Sequence, residues 1–419
     1  MPKFIINGPA KLKGEISVKG AKNAALKIIP ASILSEEKIT IANLPEIEDV
    51  KQSLALLEDL GAKIDYLGQG KVEIDTKNIV KTELNSRISN KFRASVMFVA
   101  PLLARFGKVS FPHPGGCVIG AGERPIDLFL DGFSALGAEI KTDDRFYQLK
   151  AKKLKGGNFF FPKISVTATE SLIMAGTLAE GQTILKNCAM EPEIKALADY
   201  LNEHGANIQG AGTPTVAING VAKISAGLFT VMPDRIETGS FAILAAATGS
   251  ELKIINCLPE HVRVLLDIFQ KIGVEVEEGQ DWLKIMPAKK IKPYSIKTHE
   301  YPGFPTDLQS PYTVLMTQAD GSSLIHETIY DRRLLFADSL SQMGADIIMC
   351  DPHRVVVNGR TNLHGRKLTS PDLRAGIALI IAALVATGRT EIDNIYQIER
   401  GYENIAERLS NIGANIQKI

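Results

Sequence analysis

Apolar and polar positions along the chain repeat on a period of about seventy residues. One short phrase marks each copy: LGAKI at Gly61, LGAEI at Gly137, HGANI at Gly205, IGVEV at Gly273, MGADI at Gly344 and IGANI at Gly413, with glycine spacings of 76, 68, 68, 71 and 69. An amphipathic stretch precedes each phrase, as in SLALLEDLGAKI, so the pattern predicts a helix stopped by glycine and followed by a strand. Upstream in every copy stands a turn leading into a β-rich run: EEKITI, FGKVSF, EGQTIL, TGSELKI, DGSSLI and TGRTEI. Before the turn comes an Ala-rich segment that is apolar nearly all round, such as ASVMFVAPLLA or AGIALIIAALVA, and such segments read as buried helices. The predicted unit is therefore buried helix, strand, amphipathic helix, strand and further strands. Six units pair into two domains of three, with a boundary near residue 230. An open solenoid is the alternative, but solenoid repeats run about 20–50 residues, and these are longer.

The register exposes candidate chemistry. Fourteen residues before the turn positions Glu36, Gly107, Gly181, Gly249, Gly321 and Gly388 stand Lys22, Arg93, Thr167, Arg235, Asp307 and Arg374, each at the predicted start of a buried helix. A helix N-terminus disfavours cations, so four cations in equivalent places point to an anion held among them. The alternative is that each pairs with a nearby carboxylate, as Arg235 could with Asp234 or Glu237. Asp307 is the one acid in the set, read either as a helix N-cap or as a proton acceptor.

From turn to phrase the copies measure 25, 30, 24, 24, 23 and 25 residues, so the second carries about five extra. They fall in HPGGCVIGAGERP, a glycine-rich excursion holding Cys117 and Arg124, and such excursions from a regular repeat are more often functional than structural. A cysteine near Arg124 and Lys22 is expected to form its thiolate readily. Cys188, Cys257 and Cys350, at predicted strand ends, are expected to be small core residues.

Composition narrows the field. A net charge of +1, one tryptophan and 6% aromatic residues give no support to a nucleic-acid partner. The cysteines show no CxxC, so neither a zinc site nor a disulfide framework is indicated. The most apolar run, Ala375 to Gly388, is shorter than the ~20 residues of a membrane span, and the N-terminal segment lacks a signal-peptide core. Both favour a cytoplasmic place, in a reducing cytosol.

Eight ordered motifs carry a resemblance spanning nearly the whole chain: GAKNAAL at 20–26, FRASV at 92–96, PGGCVIG at 114–120, RPIDL at 124–128, MPDRIETGS at 232–240, GFPTDLQ at 303–309, DLRAG at 372–376 and ERGYE at 399–403. Together they are similar to the UDP-N-acetylglucosamine 1-carboxyvinyltransferase family, which makes the first committed precursor of bacterial peptidoglycan. The resemblance implies an α/β fold, a two-domain inside-out barrel of six βαβαββ repeats. The domains would be 22–231 and 1–21 plus 232–419, closing like a clam-shell on substrate. It further implies that Lys22, Asn23, Arg124, Arg333, Arg374 and Arg400 serve phosphoenolpyruvate. Asn23, Arg93, Arg124, Pro125, Ile126, Asp127, Leu128, Lys163, Ser165, Val166, Thr167, Asp307 and Ile329 would serve UDP-N-acetylglucosamine. Cys117, Asp307, Lys22 and Arg400 would be catalytic: Asp307 takes the proton of the sugar 3-hydroxyl and Cys117 protonates the methylene carbon. No metal or organic cofactor is required, because cations supply the electrostatic stabilisation. The implied substrates are phosphoenolpyruvate and UDP-N-acetylglucosamine, with no membrane insertion. The loop between Cys117 and Arg124 is two residues longer than in many members, Phe129 stands where some have histidine, and Thr167 where some have glycine. The sister transferase acting on shikimate 3-phosphate lacks the loop cysteine, so PGGCVIG argues against it.

Overall fold

The computed structural model describes residues 2–113 and 126–419, and Cys117, Arg124 and Pro125 lie outside the described residues. The described chain is mixed α/β and divides into two compact units, residues 2–19 with 233–419 and residues 20–113 with 126–232.

Each unit holds three small sheets built to one plan. In the first unit, strand Glu251–Ile255 lies parallel to Lys13–Ser17 on one side and antiparallel to Trp282–Ile285 on the other, which in turn pairs with Val276–Glu278. The strands Ile296–Lys297, Ser322–His326, Arg354–Asn358 and Asp346–Asp351 repeat this order. The third sheet completes it with the opposite end of the chain. Phe4–Gly8 inserts between Gly388–Asp393 and Asn415–Lys418, taking the place that a hairpin strand takes elsewhere. In the second unit the same order recurs twice in four strands. The sheet Lys108–Pro112, Phe146–Lys150 and Glu139–Thr142 has three, with an isolated parallel bridge from Glu83 to Ser110 in the fourth place.

Glycine sets the rhythm. Gly61, Gly137, Gly205, Gly273, Gly344 and Gly413 all have positive φ, between 86 and 112°, so each ends its amphipathic helix in the left-handed conformation that a Cβ disfavours. The Ala-rich segments form the buried helices Lys22–Ala31, Val99–Phe106, Val166–Thr177, Arg235–Thr248, Thr306–Met316 and Leu373–Val385. Every residue of Arg235–Thr248 is buried. In each unit these helices make the centre of the apolar core, with the inner faces of the sheets packed around them. Small residues let them approach closely. At Gly239 an added Cβ would stand 2.4 Å from Leu308 Cδ1 on the neighbouring helix Thr306–Met316.

One expectation about cysteine is corrected. Cys188 and Cys257 are buried, but Cys350 is exposed within strand Asp346–Asp351. That strand is the outer one of its sheet, with Ile348 and Met349 also facing solvent, so an apolar run there does not mean a core. Among the described residues no helix is long and apolar enough to cross a membrane.

Candidate active site

The six register positions fall on the first or second residue of their helices. Lys22 opens Lys22–Ala31, Arg93 opens the 3-10 turn Arg93–Phe98, Arg235 opens Arg235–Thr248, and Thr167, Asp307 and Arg374 each stand second. What meets them differs from copy to copy.

One charge cluster is built around Asp307. Pro305 is extended (ψ 132°) and caps its helix without a side-chain bond, so Asp307 is not the N-cap but a first-turn acid, where the helix end favours negative charge. Arg374 is presented by helix Leu373–Val385, whose start is fixed by Asp372 Oδ1 accepting from Arg374 N at 2.7 Å and Ala375 N at 3.0 Å. Arg333 comes from a third place. It opens the turn Arg333–Phe336 directly after Arg332, which takes a left-handed φ of 57°. The two guanidinium groups divide the carboxylate. Arg333 Nη2 donates to Asp307 Oδ1 and Arg374 Nη2 to Oδ2, both at 2.8 Å. Arg333 Nη1 also donates to Thr306 Oγ1 at 2.8 Å.

Exposure in the cluster is uneven. The side chains of Arg333 and Arg374 are 1% and 8% exposed, whereas that of Asp307 is 25% exposed. The carboxylate is thus the face of the cluster that solvent reaches. Burial pushes the Asp307 carboxyl up, but Arg374 and then Arg333 outweigh it and hold it well below the usual carboxylate range. Asp307 in return keeps both guanidiniums firmly protonated, against the burial that disfavours their charge. Arg374 Nη1 lies 3.5 Å from Tyr402 Oη, which shares a hydrogen bond of 3.0 Å with Ser240. Arg400 is buried in the same unit and donates to Gln397 at 3.1 Å, and Ile329 N donates to Glu327 at 2.8 Å.

In the other unit, Lys22 Nζ meets Asp49 Oδ2 at 2.7 Å, with Asp49 in the first turn of helix Glu48–Leu60 and Asn23 next to Lys22 on its own helix. Ser165 caps helix Val166–Thr177, its hydroxyl accepting from Ala168 N at 3.3 Å, and Lys163 is exposed just before it. Val166 and Thr167 therefore stand in a first turn with the dipole's positive end toward any anion. Ile126, Asp127 and Leu128 begin helix Asp127–Ala135, which packs on the Ser165-capped helix through Gly132 and Leu172. Arg93 is half-buried.

The alternative reading of the helix-start cations, pairing with carboxylates, is seen at Lys22 with Asp49 and at Arg374 with Asp307. Around Arg235, Glu237 pairs with Arg408 at 2.7 and 3.0 Å, Asp234 caps the helix, and Arg235 lies over the Tyr301 ring at 5.7 Å from its centroid.

Sequence reasoning did not single out Thr306, Glu327 or Asp49. Glu327 had a legible signal. Ser323 and Ile325 are the buried residues of strand Ser322–His326, and the same alternation carries Glu327 to the buried side, where an acid needs partners.

A family model described as EPSP synthase (3-phosphoshikimate 1-carboxyvinyltransferase) matches residues 6–409. Two relatives named UDP-N-acetylglucosamine 1-carboxyvinyltransferase match along the full chain. The protein of Koribacter versatilis is 43% identical over 100% of this chain and 97% of its own length, and that of Borreliella burgdorferi is 43% identical over 100% and 99%. The chain belongs to the UDP-N-acetylglucosamine 1-carboxyvinyltransferase family. Solved structures place that family's fold beside its relatives. The enolpyruvyl transferase NikO from Streptomyces tendae superposes with a TM-score of 0.90 at 23% identity, covering 100% of this chain and 98% of that one. An EPSP synthase from Acinetobacter baumannii gives 0.75 at 18% identity, covering 100% of both. At such identities the likeness speaks for the fold alone. The two-unit α/β architecture of this 1-carboxyvinyltransferase family member is thus the one shared by enolpyruvyl transferases.

Proposed function

We propose that this chain transfers the enolpyruvyl group of phosphoenolpyruvate to the 3-hydroxyl of UDP-N-acetylglucosamine and releases phosphate, the first committed step of peptidoglycan precursor synthesis. The observation that carries the reading is 43% identity along the entire chain to proteins named for that reaction. The charge clusters suit it.

In the proposed addition step, the sugar oxygen bonds to C2 of phosphoenolpyruvate, its proton passes to Asp307, and Cys117 delivers a proton to C3. In the elimination step, a methyl proton passes back to the Cys117 thiolate as the C2=C3 bond forms, and the C2–O bond to phosphate breaks with its electron pair leaving on phosphate. Asp307 is held ionised by Arg333 and Arg374, so it is available as a proton acceptor but is intrinsically a weak base. Its effectiveness must come from holding the hydroxyl within hydrogen-bond reach. Lys22, Asn23, Arg124 and Arg400, with Arg333 and Arg374, would hold the carboxylate and phosphate of phosphoenolpyruvate. Lys163, Ser165, Val166 and Thr167, with Arg93, residues 124–128 and Ile329, would hold the UDP-sugar. Domain boundaries at 22–231 and 1–21 plus 232–419 would make the first the UDP-sugar domain and the second the carrier of Asp307 and its arginines. Cys117 would also be the target of the epoxide fosfomycin. A cytoplasmic place and a part in cell shape and division follow from the substrates.

Acceptor choice is the test. Phosphate release from phosphoenolpyruvate is measured with UDP-N-acetylglucosamine, with shikimate 3-phosphate and with neither. Release that depends on UDP-N-acetylglucosamine is expected, and release that depends on shikimate 3-phosphate alone would overturn the proposal.

A further inference from the structure

Behind the arginine pair lies a second carboxylate that contacts neither arginine by hydrogen bond and has no exposure at all. Glu327 follows strand Ser322–His326 on its buried side. Its Oε1 accepts from Ile329 N at 2.8 Å, Tyr330 N at 3.1 Å and Thr298 Oγ1 at 3.1 Å. Its Oε2 accepts from Thr306 Oγ1 at 2.8 Å. Four donors satisfy the buried charge and fix its orientation.

The consequence runs through Thr306. A hydroxyl has one proton, and here it is committed to Glu327, so the lone pairs of Thr306 are left for Arg333 Nη1 at 2.8 Å. The same guanidinium turns its Nη2 to Asp307. Thr306 and Asp307 are adjacent on one helix, so Arg333 is gripped at two successive residues, and one of those grips is oriented by Glu327. We infer that Glu327 is a positioning residue for the transfer reaction, acting through the Thr306 hydroxyl to hold Arg333 against Asp307. The inference rests on the proposed role of Asp307 as proton acceptor.

Glu327→Gln breaks the chain without changing size. The three donors on Oε1 keep the amide oxygen on their side, so the amide N–H₂ faces Thr306 and competes with Arg333 for the hydroxyl lone pairs. Thr306→Val removes the hydroxyl, and Thr306→Ser retains it. Slackening of Arg333 takes one cation from Asp307, whose pKa must then rise.

The test uses the full chain in these variants and in the double variant Thr306→Val with Glu327→Gln. Two quantities are read: kcat against pH at saturating phosphoenolpyruvate and UDP-N-acetylglucosamine, and the titration of the Asp307 carboxyl by carbon NMR, with its signal assigned from its loss in Asp307→Asn. Expected are a fall in kcat of about 10- to 100-fold in Thr306→Val and Glu327→Gln, an acidic limb and an Asp307 titration both moved to higher pH, no further movement in the double variant, and wild-type behaviour in Thr306→Ser. A merely structural role would lower stability without moving the titration. Folded Thr306→Val or Glu327→Gln protein in which Asp307 titrates as in wild type overturns the inference, as does full additivity in the double variant. Should the titration move while no protein turns over UDP-N-acetylglucosamine, the positioning role stands and the proposed function fails.

Discussion

Arg374 and Asp307 are equivalent residues of successive repeats, each second in its buried helix, and they meet at 2.8 Å. A repeat that places cations at its helix starts thus places one acid among them, and the acid is divided between two arginines. In the proposed reaction that arrangement keeps a proton acceptor ionised and fixed in direction at once.

Asp307→Asn keeps the shape and loses the charge. Activity should fall by at least about 100-fold, the range for loss of a positioned acid–base group. Stability should fall by about 3 kcal/mol, the low end for breaking a buried pair, because the Asp307 side chain is 25% exposed. Steady-state kinetics and urea titration measure the two. Unchanged turnover in folded Asp307→Asn would remove Asp307 from the chemistry.

The second unit holds a different pair. Lys27 Nζ lies 2.7 Å from Glu170 Oε2, both buried, yet neither Glu170 oxygen has a well-aligned hydrogen bond among the described residues. Burial pushes the Glu170 carboxyl up, Lys27 opposes, and Glu193 and Glu191 add to the rise, to about 7 from an ordinary 4.5. A carboxyl whose folded pKa is raised contributes most stability below its unfolded pKa and loses it as pH rises through the folded value. Wild-type stability should therefore carry a declining component between about pH 4.5 and 7 that Glu170→Gln lacks. Urea midpoints across that window test it, and an identical slope in both proteins would contradict it.

Much of this was legible because glycine leaves a local mark. The six helix-ending glycines need left-handed backbone whatever surrounds them, so their spacing alone gave the repeat, and counting back fourteen residues from the turn before each β-rich run reached the helix starts. Partners were not legible. Arg333 reaches Asp307 from a turn outside the fourteen-residue register, and Asp49 reaches Lys22 from the next helix, because side-chain pairing depends on how helices pack and not on period. The insertion of Phe4–Gly8 between two strands near the other end of the chain is equally invisible to local periodicity. Cys350 was misread because an outer strand can be apolar without being covered.

Gly239, within the MPDRIETGS motif, is a packing position. Gly239→Ala would press a methyl on Leu308, the residue after Asp307, at 2.4 Å from Cδ1. Helix separation should cost about 1–3 kcal/mol, and activity should fall more than the unfolded fraction accounts for, because Asp307 moves with Leu308. Thermal unfolding and kinetics on one preparation measure both. Full specific activity in the folded protein would show that the helix start is not displaced.

Fosfomycin tests the loop cysteine by chemistry. Its phosphonate resembles phosphate, and among Lys22, Arg124 and Arg400 it would bring a strained epoxide to the Cys117 thiol. One adduct per chain is expected, faster with UDP-N-acetylglucosamine and slower with phosphoenolpyruvate. Cys188 and Cys257 should be spared, their thiols pushed up to about 12 by burial. Cys117→Asp keeps a proton donor and should retain turnover while resisting the drug. Peptide mass mapping locates the adduct, and a stable adduct elsewhere or a sensitive Cys117→Asp protein would contradict the assignment.

The most direct measurement follows both products of one reaction. Purified protein is incubated with phosphoenolpyruvate and UDP-N-acetylglucosamine, phosphate is quantified, and the UDP-sugar is analysed by mass spectrometry and NMR. The account predicts one phosphate released for each UDP-sugar that gains an enolpyruvyl ether at its 3-oxygen. Phosphate release with the sugar unmodified, or an ether at another oxygen, would contradict it.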